Sequence, residues 1–347
     1  MWRDDRIQAV IDTTTGFIAA KLAERLNRPL HEMERLFLAS KTYALLCDPE
    51  TGLYSDNVLE TADLFLREAA PALYSQKELT AQPYFKYRSL TDPYTEDIFK
   101  KKELWYAAPS SFNDPFDCNL QLNCDGSSEE ESERFFVNMA VNRWQELSEA
   151  DRRSTLDDAI KRGTDIFSIM RKQIYDGSSV CSFSHLGDSI QMFSYYADGH
   201  TGICIEFSFS ILDMPCEYTL AQQWFGRARI IPIDVICQKD FPELNFLKLF
   251  ELNPQEMAKS LIGTKAENWE HEEEYRIFRD QMPAGAASFA PQILKRVILG
   301  AKTGDKEMNL VKGWLKEWPT PVILSKAEAD TKAFKLNIRD VETVGRY

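Results

Sequence analysis

From Ile7 to Leu26 the apolar residues Ile7, Val10, Ile11, Phe17, Ile18, Leu22 and Leu26 recur mostly at threes and fours. That is the period of one buried helical face, and it predicts a helix. Pro29 stands where a second helix can begin, since proline is tolerated in a first turn, and Met33, Leu36, Phe37 and Leu45 continue the period. This second helix is expected to stop at Asp48-Pro49-Glu50-Thr51-Gly52, where proline and glycine break the run. A third fits Asp56 to Ala70 on Val58, Leu59, Leu64, Phe65 and Leu66. From Pro71 to Pro83 no period is visible and prolines bound the stretch, so the expected domain boundary lies there. Residues 1–75 read as a small all-helical module.

The pattern then changes to short apolar runs interrupted by helical stretches, which reads as an α+β domain with a mixed sheet over 84–347. Strands are predicted at Tyr84 to Tyr87, Leu104 to Ala107, Val180 to Phe183, Gly202 to Phe207 and Arg229 to Val235. Further strands fit Tyr275 to Phe278, Arg296 to Leu299, Pro321 to Leu324 and Phe334 to Ile338. Helices fit Glu129 to Leu147, Ser154 to Ile174, Ile190 to Ala197 and Lys306 to Lys316.

Composition narrows the function classes. The chain of 347 residues carries a formal net charge of -13, so a long-range field that gathers phosphate backbones is absent and generic nucleic-acid binding is disfavoured. Seven cysteines without a CxxC pair argue against a disulfide framework and a zinc ribbon, and reduced thiols fit a cytoplasmic location. Only four histidines are present, which leaves little material for a multi-histidine metal centre, and no metal is expected. No apolar stretch approaches the roughly 20 residues of a membrane span, and the N-terminus shows no signal-peptide core.

Several short motifs carry polar chemistry. Tyr87-Arg88-Ser89 ends an aromatic strand, where an arginine can offer its planar donor fork to a phosphate, although a surface ion pair is the simpler reading of Arg88 alone. Phe112-Asn113-Asp114-Pro115-Phe116-Asp117 is turn chemistry first, with Asp114 or Asp117 as a ligand or base second. In Ser182-Phe183-Ser184 strand alternation puts the two hydroxyls on one face. His200 sits at the Asp198-Gly199 turn, where a histidine is more often structural than catalytic. In Trp269-Glu270-His271-Glu272-Glu273-Glu274-Tyr275-Arg276, an extended chain would project Glu272, Glu274 and Arg276 from one face. Neighbouring carboxylates repel there, so the arrangement calls for a compensating cation or a use; a solvated charge run competes equally.

Taken together, these motifs from about Tyr84 to Gly300 resemble the bacterial family called domain of unknown function 2971. The stretch from Leu22 to Phe65, through Lys41-Thr42-Tyr43-Ala44-Leu45-Leu46 and Glu50-Thr51-Gly52-Leu53-Tyr54, looks like the helical domain of unknown function 3791. The order Arg, Ser-x-Ser, Glu-x-Glu is similar to the pattern of mono-ADP-ribosyltransferases, which split NAD and pass ADP-ribose to an acceptor. That likeness implies catalytic roles for Glu274, Glu272 and Ser182. Glu274 would stabilise the ribosyl cation, Glu272 would orient the acceptor and Ser182 would order Glu274. NAD, as substrate, would be held by Arg88 with Tyr87, Ser184 and His200. The acceptor would be an unknown macromolecule and the protein a bacterial toxin or defence effector. A metal-dependent phosphodiesterase using Asp114, Asp117, His200 and Glu274, and a binding module without catalysis, are the rival readings.

Overall fold

The computed structural model describes residues 5–26, 28–48, 50–55, 58–118, 122–123, 174–215, 229–242, 244–245 and 254–346, together with 130, 148, 150–151, 154, 172, 248 and 252. The predicted helices Glu129 to Leu147 and Ser154 to Ile174 lie, but for residues 130, 154, 172 and 174, outside the described residues. Two compact units emerge. One comprises Met1–Pro83, Ser208–Arg229 and Ser288–Ile293; the other comprises Tyr84–Phe207, Ile230–Ala287 and Leu294–Tyr347.

In the first unit α1 (Asp5–Leu26) follows its apolar period, with Ile11, Ile18 and Leu22 buried. The expected second helix is instead two, α2 (Leu30–Leu38) and α3 (Lys41–Leu46). Ser40 causes the break: its side chain accepts from Tyr43 N (3.0 Å) as an N-cap, and Glu68 accepts from the Lys41 and Thr42 amides (2.8 and 2.9 Å). α4 (Val58–Leu73) runs through Pro71, beyond the expected end at Ala70. Ala69 and Ala70 are buried there, so packing carries the helix past the missing amide. The stretch read as aperiodic then holds α5 (Gln76–Leu79), opened by a reciprocal cap in which Ser75 N donates to Glu78 (2.8 Å) and Glu78 N to Ser75 (3.4 Å). Phe37 and Phe65 meet edge to face at 4.9 Å in the core. Two segments that the sequence reading gave to the second part complete this unit: Leu212 packs on the helical core and its carbonyl accepts from Arg67 (3.3 Å).

The second unit is mixed α/β, built on a mixed sheet. Its strands in chain order are β1 (Gln82–Arg88), β2 (Glu103–Tyr106), β3 (Leu122–Asn123), β4 (Ser179–Ser184), β5 (Ile203–Phe209), β6 (Arg229–Asp234) and β7 (Ile236–Gln238). They continue with β8 (Leu244–Asn245), β9 (Thr264–Ala266), β10 (Glu274–Asp280), β11 (Gly285–Ser288), β12 (Leu294–Leu299), β13 (Val322–Ala329) and β14 (Leu336–Val344). Eight form one sheet in the order β14-β13-β12-β5-β1-β4-β10-β6, while β11-β2, β3-β8 and β7-β9 are small pairs. Most neighbours are antiparallel; β12 and β13 are parallel and are joined across a helix, as a parallel pair requires. Among the described residues the helices are α6 (Pro93–Lys100), α7 (Ile190–Tyr196), α8 (Pro254–Ile262) and α9 (Asp305–Leu315), the first and third of which carry no sequence expectation. α7 buries Met192 and Phe193 against Tyr87, Cys204 and Ile298, and α8 buries Ala258 and Ile262 against Val180, Ile231 and Phe278. Among the described residues no helix is long and apolar enough to cross a membrane.

Candidate functional site

Alternation along β10 points Glu274, Arg276 and Phe278 to one face of the sheet. The antiparallel register sets Ser184 opposite Glu274 and Ser182 opposite Arg276. Glu272 does not extend this strand as expected. It ends a 3-10 turn, Glu267–Glu272, and Glu273 takes a left-handed conformation (φ 40) between the two glutamates. The turn is closed by Glu273 N donating to Glu270 O (3.1 Å), and the Glu273 carbonyl accepts from His185 N (2.9 Å). The two carboxylates still converge, because Lys265 on β9 lies between them.

Lys265 Nζ donates to Glu272 (2.5 Å) and Glu274 (3.1 Å), and stands 3.7 Å from Asp117 and 5.0 Å from the Trp269 ring centre. Arg276 is fully buried. Its Nε and Nη2 grip both oxygens of Glu274 at 2.8 Å, Nη2 also donates to Asp117 (2.6 Å), and Nη1 donates to the Ile262 carbonyl (2.6 Å) and Cys118 Sγ (3.2 Å). Tyr196 donates its phenol to the other oxygen of Glu272 (2.6 Å). Three carboxylates therefore face two cations in a buried cluster.

Burial works to raise the Glu274 carboxyl, but the Arg276 charge and hydrogen bonds, then Lys265 and the Ser182 side chain, prevail and lower it to about 2. Burial lowers Lys265, and Glu274 and Glu272 more than reverse it, so its ammonium is held charged. Tyr196 is pushed up by burial and by the bond to Glu272, and the Cys118 thiol is pushed up by burial. Glu274 is thus a fixed carboxylate and Cys118 an inert thiol.

Glu272, Glu274, Asp117, Lys265 and Tyr196 open into a cavity of about 210 Å³ that Ser182, Tyr87 and Arg88 also line. The cavity lies at a fork in the sheet: between β1 and β4 the register pair among the described residues is Phe85↔Ser184, beyond which the strands part. Of the expected site residues, Glu274, Glu272, Ser182, Arg88 and Tyr87 share this lining, whereas Ser184 and His200 do not belong to it. Ser184 is fully buried and donates to the Glu272 carbonyl (2.6 Å), so it positions the turn that presents Glu272. Tyr87 spends its hydroxyl on the Leu186 carbonyl (2.8 Å) and the Ser189 amide (3.2 Å). Arg88 Nη2 is paired with Asp92 (2.6 Å) and its Nε with Thr95 (3.2 Å), the ion pair that Arg88 alone suggested.

His200, expected among the NAD-holding groups, stands outside the cavity lining. Its ring stacks on Phe193 at 5.8 Å, and it follows Asp198 and Gly199 in a run of three left-handed residues. The Asp198-Gly199-His200-Thr201-Gly202 motif instead pins the end of β1. Asp198 accepts from Ser89 (2.5 Å), and a Cβ at Gly202 would meet the Arg88 carbonyl at 2.5 Å, so only glycine lets the backbones approach this closely. The phosphodiesterase ligand set also divides. Asp114 accepts from Phe116 N (2.9 Å) in the expected turn, His200 is outside the cavity, and Asp117 and Glu274 are gripped by Arg276.

Sequence reasoning did not single out Lys265, Tyr196 or Lys86 as site residues. Lys265 lies on a three-residue strand with no periodic signal, whereas Lys86 shares its strand face with Arg88 and was legible by alternation.

A family model described as protein of unknown function (DUF2971) matches residues 192–277. The match is narrower than the expected 84–300: it includes α7 from Met192 onward, Lys265, Glu272, Glu274 and Arg276, and leaves Arg88 and Ser182 outside. No curated protein and no solved structure matches the chain.

Proposed function

We propose that the cavity binds NAD and that the protein is an ADP-ribosyltransferase-like enzyme, passing ADP-ribose to an acceptor. One observation carries the reading: the strands bearing Arg88, Ser182 and Glu274 are neighbours, β1-β4-β10, and all three side chains line one cavity. As the bond between nicotinamide and ribose breaks, nicotinamide leaves as a neutral base and positive charge develops on the ribose. A carboxylate held ionised beside that position lowers the barrier, and Glu274 is such a group. Glu272, kept in place by Tyr196 and Lys265, orients the acceptor nucleophile that then bonds to the ribose carbon. The acceptor is a macromolecule, and a role as toxin or defence effector follows from that chemistry if the acceptor is essential to a cell. The full engagement of Glu272 and Glu274 by cations also favours a second reading, a module that binds without catalysis.

The test is nicotinamide release from NAD by the wild type and by Glu274→Asp, which keeps the charge for Arg276 but withdraws the carboxylate by one methylene. Release by the wild type and a drop of about 100-fold in the variant, at equal thermal stability, are expected. Binding of NAD without release by the wild type would establish the non-catalytic reading, and absence of binding would refute both.

A further inference from the structure

Lys86 stands at the fork where β1 and β4 part. Its Nζ crosses the gap to donate to the Ser182 carbonyl (2.8 Å) and lies 5.3 Å from the Phe183 ring centre. It lines the same cavity as Glu274 and Ser182. The other cations of the lining are matched with carboxylates, Arg88 with Asp92 and Lys265 with Glu272 and Glu274. Among the described residues Lys86 has no carboxylate in ion-pair range. An ammonium offers three donors, and one goes to a neutral carbonyl. A cation in that position has no direct counter-ion, and burial pushes it down, with the nearby Cys181 and Glu274 opposing and Arg88 reinforcing the shift.

We propose that Lys86 is the anion-binding residue of the cavity and holds a phosphate of the ligand at the strand fork, while Arg88 is tied into the turn that follows β1. The cavity then has two poles. Carboxylates at Glu272 and Glu274 face a developing positive charge, and the Lys86 ammonium faces a phosphate. The ligand class is a phosphate-bearing nucleotide or sugar. This deepens the proposed NAD reading by assigning the phosphate contact, and it rests on that reading only for the identity of the nucleotide.

Calorimetric titrations of the full chain with NAD, ADP-ribose and inorganic pyrophosphate test it, using wild type, Lys86→Met and Lys86→Arg. Methionine keeps most of the stem and leaves no carboxylate orphaned, so the fold should persist; the melting temperature checks this. Lys86→Met is expected to weaken ADP-ribose and pyrophosphate by about tenfold or more, the worth of one charge-assisted hydrogen bond, and Lys86→Arg to restore most of the affinity. Nicotinamide riboside, which has no phosphate, should bind both proteins alike. Equal ADP-ribose affinity in wild type and Lys86→Met overturns the assignment and leaves the NAD reading standing. Pyrophosphate binding that depends on Lys86, with no binding of NAD, supports the assignment and overturns the NAD reading. Failure of the wild type to bind any phosphate compound overturns both.

Discussion

Glu274 is held by Arg276 through both carboxylate oxygens; Arg276 is fully buried, and Glu274 is buried apart from its exposure to the cavity. The sequence alone allowed a surface pair worth about 1 kcal/mol or less. Burial changes the magnitude, because Arg276 keeps Asp117 but loses a two-point, charge-assisted grip that water does not screen. Glu274→Gln is therefore expected to lower unfolding free energy by about 1.5–3 kcal/mol, the range for a hydrogen bond to a charged group, measured by urea titration at neutral pH. The pH dependence has a definite sign. Glu274 is lowered from 4.5 to about 2 on folding, so the stability it contributes is fully present above 4.5 and is lost as pH falls through 2. The gap between wild type and Glu274→Gln should narrow across that window; a constant gap down to pH 2 would show that Glu274 is not held ionised. The glutamates and Arg276 were legible because charge passes abruptly into an apolar strand. Lys265, which makes their closeness tolerable, was not, because it arrives from β9 through tertiary contacts alone, and Asp117 was read as a turn residue or ligand rather than as a partner of Arg276.

At the scale of elements, the nine strands predicted from apolar runs all appear, since alternation and β-branched content are local signals. The errors cluster where a side chain outvotes periodicity. Ser40 divides one expected helix into two, and the buried alanines carry α4 through Pro71. Glu273 turns an expected straight strand into a corner. Ser40→Ala should cost about 1 kcal/mol by loss of the cap, read from thermal melting. The contact between the Asp198 to Gly202 turn and β1 gives a sharper test. A methyl group at Gly202 meets both the Arg88 carbonyl (2.5 Å) and the Ala197 backbone (2.9 Å), atoms that cannot rotate aside. Gly202→Ala is expected to destabilise by about 1–3 kcal/mol and to shift the end of β1. Wild-type melting of that variant would show that the turn and the strand are not so closely held.

Viewed as a whole, the chain passes from one unit to the other after Pro83, and Ser208–Arg229 and Ser288–Ile293 join the unit that Met1–Pro83 begins. Removing residues 1–83 is thus expected to leave Leu212 without its helical core, and the remaining chain should bind a hydrophobic dye or aggregate, as judged by fluorescence and light scattering. A monodisperse truncated protein without dye binding would argue that those segments fold with the sheet. The same arrangement imposes a delay on the newborn polypeptide. At roughly 5–20 residues per second, the ribosome needs on the order of 10–40 s after Pro83 before Ile293 is made. The first helices must wait through that interval without their later segments, exposed to whatever attends the exit tunnel. Translation stalled soon after Pro83 should therefore yield a helical fragment that proteases digest readily, and translation stalled well beyond Ile293 one that resists them.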